Sequence, residues 1–312
     1  RHQMMKLAVG EIIQDYRVTR FLGRGGFASV YLAEHEPSGD KVALKIGHPS
    51  GGGRQVTRLL EVTSRRSMDG ISPDELPGEA VFFEPGGFRI DLFDGAEVST
   101  MLTAEAEVLE TTRSAHLVQL RDRMEGEGPP MLVLDYVRGK TLREKIRSLE
   151  GIHLNWFLAA VRALIQMRDE GGLTYHGDLK PENIIIKPSG KVVLIDPAMR
   201  TPATNVVTTT PHYNPLLLTD SKADVTAIGI MIYEILTGTL PFDDVPWEYA
   251  GAHSGGETVR LSLSFFYSYC PPAVLNPKTP PDLEKVIYRC ITVPTYGLEE
   301  LRADLEDFIG RA

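Results

Sequence analysis

The sequence predicts an α+β fold, with antiparallel strands gathered in its first half and helices in its second. Three observations predict it. Tyr16–Arg24 and Phe27–His35 alternate apolar and polar residues about the glycine turn Gly23-Arg24-Gly25-Gly26, the signature of a hairpin. His153–Glu170 and Lys222–Thr237 are apolar-rich helical stretches, the first ended by Gly171-Gly172. Between them, Ile184-Ile185-Ile186 and Val192-Val193-Leu194-Ile195 read as a second hairpin, turned at Lys187-Pro188-Ser189-Gly190-Lys191.

Taken in order, the strand Lys41–Ile46 follows the first hairpin. Ala43, Leu44 and Ile46 make it mostly buried, so Lys45 would be costly there without a partner acid. Thr103–Thr112 reads as a helix with Ala104, Val108 and Leu109 apolar and Glu105, Glu107 and Glu110 charged. The intervening residues divide into a flexible Gly47–Gly53, a basic helix over Gln55–Ser67, a turn-rich Met68–Gly78, and Ala80–Phe83 pairing with Phe88–Phe93. Val81, Phe82, Phe83, Phe88 and Phe93 argue against disorder here; they pack on the neighbouring structure or form a docking surface for a partner. Leu117–Met124 and Met131–Val137 form the next strand pair. Thr141-Leu142-Arg143-Glu144 opens a short helix with a capping box, and Leu283–Thr292 and Leu298–Phe308 close the chain as helices.

Composition narrows the function. The chain has 312 residues, of which 42% are hydrophobic, enough for a real core. Its net charge of −9 argues against a nucleic-acid backbone as partner. No apolar stretch approaches the ~20 residues a membrane span needs, and no secretory signal is visible. Cys270 and Cys290 are the only cysteines, which fits a reducing cytoplasm and excludes a disulfide framework or a cysteine zinc site. No internal repeat is apparent.

The chemistry concentrates in Tyr175-His176-Gly177-Asp178-Leu179-Lys180-Pro181-Glu182-Asn183. Asp178 is suited to accept a proton from an attacking hydroxyl, Asn183 to hold a hard cation through its amide oxygen, and Lys180 to neutralise a transferring phosphoryl group. Phosphoryl transfer needs this set, because its catalysis is mostly positioning and electrostatics. A surface loop with a capping Asp is the plainer reading. Asp196, closing the second strand of the hairpin, weighs against it, since Asn183 and Asp196 then meet at the hairpin's open end, close enough to share a metal.

This stretch resembles the catalytic loop of the protein kinase superfamily, and Asp196 matches its metal-binding Asp. The likeness, to Ser/Thr protein kinase domains of the eukaryotic-like bacterial type, covers nearly the whole chain. It implies a two-lobed fold forming one kinase domain: residues 1–136 as an N-lobe of antiparallel sheet plus one helix, with an insertion over about 48–98, and 137–312 as a mainly helical C-lobe. It implies ATP and Mg²⁺ as cofactors and Ser/Thr hydroxyls of proteins as substrates. Gly23, Gly25 and Val30 match the glycine-rich phosphate loop, with Ala28 where its third glycine stands. By the same resemblance Val30 and Ala43 cover the adenine, Lys45 contacts the α- and β-phosphates, and helix spacing selects Glu105 as its partner. Leu134 matches the residue gating the back pocket, and Asp135-Tyr136-Val137 the hinge; Ile185 also belongs to the nucleotide site. Asp178 would deprotonate the hydroxyl, Lys180 stabilise phosphate charge, and Asn183 and Asp196 hold the metal. Thr210-Pro211-His212-Tyr213-Asn214-Pro215 resembles the segment receiving the peptide, with Thr210 contacting Asp178 and Lys180, and Asp224 would hold the catalytic loop from below.

The chain departs from the family pattern in four places. Gly177 replaces the Arg before the catalytic Asp, Asp196-Pro197-Ala198 replaces Asp-Phe-Gly, Asn214-Pro215-Leu216 replaces Ala-Pro-Glu, and Thr292–Gly297 lacks the Arg that pairs with that Glu. The last two losses agree, because a buried ion pair removed as a unit carries little penalty. His-Gly-Asp and Ile-Asp-Pro-Ala also resemble small-molecule kinases of the aminoglycoside, choline and fructosamine type, and an inactive kinase-fold scaffold is a third reading. Lys180, the glycine-rich loop and the Asp224–Gly238 stretch are protein-kinase features. The compact form resembles bacterial signalling kinases, and the Pro-containing end of the activation segment resembles kinases of bacterial antiviral defence.

Overall fold

The computed structural model describes residues 7–24, 27–48, 56–59, 88–91, 95–124, 126, 130–199, 210, 212–215, 218–241, 247–253, 256–261 and 269–312. The short strand β1 (Ile12–Ile13) leads into β2 (Tyr16–Arg24), β3 (Ala28–His35) and β4 (Lys41–Gly47). Two further strands, β5 (Val56–Leu59) and β6 (Phe88–Asp91), precede helix α1 (Gly95–Thr111), which is followed by β7 (Leu120–Met124) and β8 (Met131–Asp135). The main sheet runs in the order β1-β2-β3-β4-β8-β7 and is antiparallel throughout.

Side-chain alternation explains why β4 is buried on both faces. Val42, Leu44 and Ile46 point to one side, where Val18, Tyr31, Ala33, Met131 and Val133 form a small core. Ala43 points to the other side, into a larger core containing Val98, Leu102, Ala106 and Leu109 of α1. Lys45 shares that parity, so its side chain is carried toward α1.

Several expectations differ from what the structure shows. Helix α1 begins at Gly95, not Thr103, and its buried Val98, Met101 and Leu102 continue the apolar stripe one turn upstream, so Val98 belongs to the helix and not to an insertion. Val56–Leu59, expected within a basic helix, is a strand paired with β6. On its other side β6 pairs with a strand from the second half of the chain, Gly256–Leu261; Ala80–Phe83, expected to pair with Phe88–Phe93, lies outside the described residues. The strand expected from Leu117 starts at Leu120; Leu117 instead bridges Leu194, where Val118 N donates to Leu194 O at 3.0 Å and Leu194 N to His116 O at 2.8 Å. That stretch therefore joins the sheet to the hairpin that ends at Ile195.

The helical part starts with β9 (Lys140–Thr141) and α2 (Leu142–Arg147), whose capping box forms in full between Thr141 and Glu144. Helix α3 (Leu154–Asp169) follows, then a 3₁₀ turn over Pro181–Asn183 and the hairpin β10 (Ile184–Ile186) and β11 (Val192–Leu194). Helix α4 (Ser221–Thr237) is buried all round from Ala223 to Tyr233, as a helix at the centre of a core must be. Asp220 caps its start and Gly238, at φ 74°, its end. Strands β12 (Trp247–His253) and β13 (Gly256–Leu261) precede α5 (Pro272–Leu275), α6 (Pro281–Thr292) and α7 (Leu298–Arg311). Gly229 of α4 lies against α6 so closely that an added Cβ would sit 2.3 Å from Cys290 Cβ. No helix among the described residues is long and apolar enough to cross a membrane.

Candidate active site

The hairpin builds the site from below. Ile195 N donates to Asn183 O at 3.0 Å, which extends the pairing of β10 with β11 and sets Asn183 beside Asp196. Asp196 takes a left-handed backbone, φ 54°, a strained choice for a residue with a Cβ. Its carboxylate meets Lys45: Nζ lies 3.1 Å from Asp196 Oδ1 and 2.7 Å from Glu105 Oε2. Glu105, and neither Glu107 nor Glu110, is the acid that α1 turns toward the lysine. Lys45 and Glu105 are about 6% and 5% exposed, whereas the Asp196 side chain remains 40% exposed. Burial opposes the charge on Lys45, but Asp196 and Glu105 outweigh it and raise its pKa, so the ammonium is retained. Against the cost of partial burial, Lys45 holds the Asp196 carboxyl below the ordinary range.

The loop above the hairpin is fixed from two directions. Asp224, fully buried at the start of α4, accepts His176 N at 2.7 Å and Gly177 N at 2.9 Å. The His176 ring is also fully buried, and burial pushes its pKa down to about 4, so it is neutral. Its Nε2 lies 2.7 Å from Ile195 O and must donate, while Nδ1 accepts Asp178 N at 3.2 Å. The ring thus ties the hairpin to the loop in one tautomer.

Gly177 and Ala198 prove to be one adaptation. Gly177 has φ +90°, and a Cβ there would fall 2.9 Å from Ala198 O. Ala198 N in turn donates to His176 O at 2.7 Å. The residues after Asp196 lie directly on the loop, and only glycine leaves them room.

Asp178 is 15% exposed at its side chain. Its Oδ1 accepts Thr210 N at 2.8 Å, and Lys180 Nζ donates to Thr210 Oγ1 at 2.8 Å while lying 3.5 Å from Asp178 Oδ2. Burial pushes the Asp178 carboxyl up to about 6, opposed by Lys180 and the Thr210 bonds. Asn183 Nδ2 donates to Asp178 O at 2.8 Å, which leaves the amide oxygen as the atom to offer a cation. Asn183 and Asp196 therefore supply one amide and one carboxylate oxygen. That set fits Mg²⁺, which keeps waters and borrows substrate phosphate oxygens; among the described residues no cluster of three or more His, Cys, Asp or Glu forms a dedicated metal cage.

Several of the residues expected to hold the nucleotide sit on adjoining strands. Val30 pairs with Lys45, and Ala43 with Leu134, in register. Ala43 and Leu134 are buried in the larger core, with Val30 and Val137 packed against it. Gly23 lies opposite Val30 on β2; Gly25 lies outside the described residues. Asp135 ends β8 in an ion pair with Arg121, and Ile185 stands on β10 opposite Thr141.

Sequence reading missed what supports this set. The neutral tautomer of His176, the ring of Phe27 5.2 Å from Lys45 Nζ, and the contacts of Arg143, Glu182, Tyr213 and Glu234 carried no local pattern. Where the family's Glu–Arg pair is absent, Asn214 exchanges two hydrogen bonds of 3.0 Å with the Leu218 backbone, and Lys222 Nζ donates to Tyr296 O at 3.0 Å.

The protein kinase domain family matches residues 93–270, more than half of the chain. The chain belongs to the protein kinase domain family. Among curated members of that family, it is 25% identical to the serine/threonine-protein kinase PrkC of Bacillus subtilis, over 93% of this chain and 39% of that protein. It is 27% identical to the probable serine/threonine-protein kinase PknB of Lactococcus lactis, over 91% of this chain and 40% of that protein. The chain thus spans about two fifths of the length of these kinases. In fold it is similar to the kinase domain of Mycobacterium tuberculosis PknI, with a TM-score of 0.60 and 19% identity over 98% of this chain and 100% of that one. It is likewise similar to the apo form of PpkA-294, with a TM-score of 0.62 and 17% identity over 96% and 99% of the two chains.

Proposed function

We propose that this chain is an ATP- and Mg²⁺-dependent Ser/Thr protein kinase domain that transfers the γ-phosphoryl group to hydroxyls of protein substrates. The observation that carries the reading is a pair of hydrogen-bonded polar sets, Glu105–Lys45–Asp196 and Asp178–Thr210–Lys180, joined through Asn183, which bonds Asp178 O and Ile195 N. The names of the curated relatives support the same substrate class.

Mg²⁺-ATP, bound between the sheet and the hairpin, supplies an activated phosphoryl group whose charge the metal offsets. Lys45, kept charged by two acids, binds and orients the α- and β-phosphates. Asn183 and Asp196 hold the metal through their oxygens. Asp178 orients the substrate hydroxyl and takes its proton; a carboxyl raised to about 6 by burial is a better base near neutral pH than an ordinary Asp. Lys180 steadies the transferring group and, through Thr210, the segment expected to receive the peptide. The lobes divide near Tyr136.

The test is incubation with γ-labelled ATP, alone, with a generic protein substrate and with a panel of small-molecule alcohols and amines, followed by phosphoamino-acid analysis. Label on serine and threonine is expected. Label transferred only to small-molecule alcohols or amines would replace this reading with a small-molecule kinase, and nucleotide binding without any transfer with a scaffold.

A further inference from the structure

One half-buried cation holds three separate elements together beside the Asp178 loop. Arg143 lies in the first turn of α2. Its Nε donates to Glu182 Oε1 at 2.8 Å, its Nη1 to Glu234 Oε1 at 2.5 Å, and its Nη2 to the Tyr213 hydroxyl at 2.5 Å. The Tyr213 hydroxyl donates onward to Glu234 Oε2 at 2.6 Å, which closes the ring. The Arg143 and Glu234 side chains are 17% and 11% exposed and Tyr213 is buried. Water therefore replaces little of what Arg143, Tyr213 and Glu234 would lose if one of them were removed, whereas Glu182, 45% exposed at its side chain, is the partner open to solvent.

Each partner leads to the reacting face. Glu182 lies in the 3₁₀ turn, two residues past Lys180. Tyr213 lies three residues past Thr210, and Tyr213 N and Asn214 N both donate to Thr210 O at 3.0 Å, so these residues form one closed turn. Fixing the Tyr213 ring fixes that turn, and the turn delivers Thr210 N to Asp178 and Thr210 Oγ1 to Lys180. Glu234 anchors both to α4, the helix whose Asp224 grips His176 and Gly177.

We propose that Arg143 is a positioning residue for phosphoryl transfer: its guanidinium fork sets the Thr210–Tyr213 turn against Asp178 and Lys180 by binding Glu182, Tyr213 and Glu234 at once. This rests on the kinase reading above. A planar fork reaches three acceptors in fixed directions; an ammonium carries the same charge and cannot. The nucleotide site on the sheet makes no use of Arg143, so the loss falls on turnover and not on ATP affinity.

Arg143→Lys keeps the charge and removes the fork. It is expected to lower kcat by about tenfold or more with KM for ATP changed less than about twofold. Tyr213→Phe, a single-atom change that serves also if Arg143→Lys does not fold, is expected to lower kcat in the same way. Because both act through one turn, the double variant is expected to lose no more than the worse single variant. An activity-independent readout is the exchange rate of the Thr210 amide proton by NMR, which both variants should raise about tenfold or more, while amides of β4 and α1 keep their protection. The proposal is overturned if Arg143→Lys keeps kcat within twofold, if the two losses multiply, if KM for ATP rises as far as kcat falls, or if Thr210 exchange is unchanged. Should the wild-type protein transfer no phosphate, the kinase reading fails, and Thr210 exchange alone then decides whether Arg143 holds the turn.

Discussion

His176 shows how far a motif residue can be read and where reading stops. Its place beside Asp178 is visible in the chain; its neutrality comes from complete burial, which only the fold supplies. With the folded-state pKa pushed down to about 4 against an ordinary 6.5, the unfolded chain binds the extra proton between those values and the folded one does not. Stability therefore falls as pH falls through that window, by up to ~3 kcal/mol from this group. Urea unfolding at pH 7 and pH 4.5 should show a smaller acid loss for His176→Gln than for wild type; an equal loss would mean the ring is protonated when folded. Gly177 is the second case. Its departure from the family's Arg was legible, but the reason, a left-handed backbone under the Ala198 carbonyl, was not. Gly177→Ala is expected to cost about 1–3 kcal/mol, read as a lower urea midpoint at unchanged slope.

At the scale of elements, hairpins and long helices were legible because their periods and glycine punctuation are local. What failed was an element's edge or partner. The sequence pattern starts helix α1 only at Thr103, because Glu97, Ser99 and Thr100 interrupt the apolar stripe that Val98, Met101 and Leu102 complete. The 56–59 strand has no local signal, because β6, the strand it pairs with, lies about thirty residues on. Helix α4 offers the sharpest test at this scale. Intrinsic propensity says Gly229→Ala should stabilise a helix interior by ~1 kcal/mol. Contact with Cys290, 2.3 Å from the added Cβ, says that α4 and α6 must separate. Thermal unfolding of Gly229→Ala should show a net loss of about 1–3 kcal/mol, because overpacking a close helix pair outweighs the propensity gain. A rise in Tm would mean that α4 and α6 leave room for a methyl group at Gly229.

For the molecule as a whole, the family was legible from six polar positions spread over both lobes, Lys45, Glu105, Asp178, Lys180, Asn183 and Asp196, because their spacing is fixed by a fold they must share. Gly177 bears on control. Gly177 offers no side chain to pair with a phosphate on the segment after Asp196, while Thr210 is already held by Asp178 and Lys180. Phosphatase treatment, with mass spectrometry confirming bare Thr208 and Thr209, should leave the initial rate on an external substrate within about threefold, and alanine at both positions should do the same. A hundredfold fall restored by rephosphorylation would mean that another cation reads that phosphate.

The central claim is that Asp178 acts on a protein hydroxyl within this polar cluster, and Asp178→Asn tests it with the least disturbance, since an amide oxygen can still accept Thr210 N. The measurement is the initial rate of γ-phosphoryl transfer from labelled ATP to a protein substrate, for wild type and Asp178→Asn preparations of matched Tm. A fall of about 10²–10⁴ with nucleotide affinity retained is the expected result. Unchanged phosphorylation by a clean Asp178→Asn preparation would contradict the account.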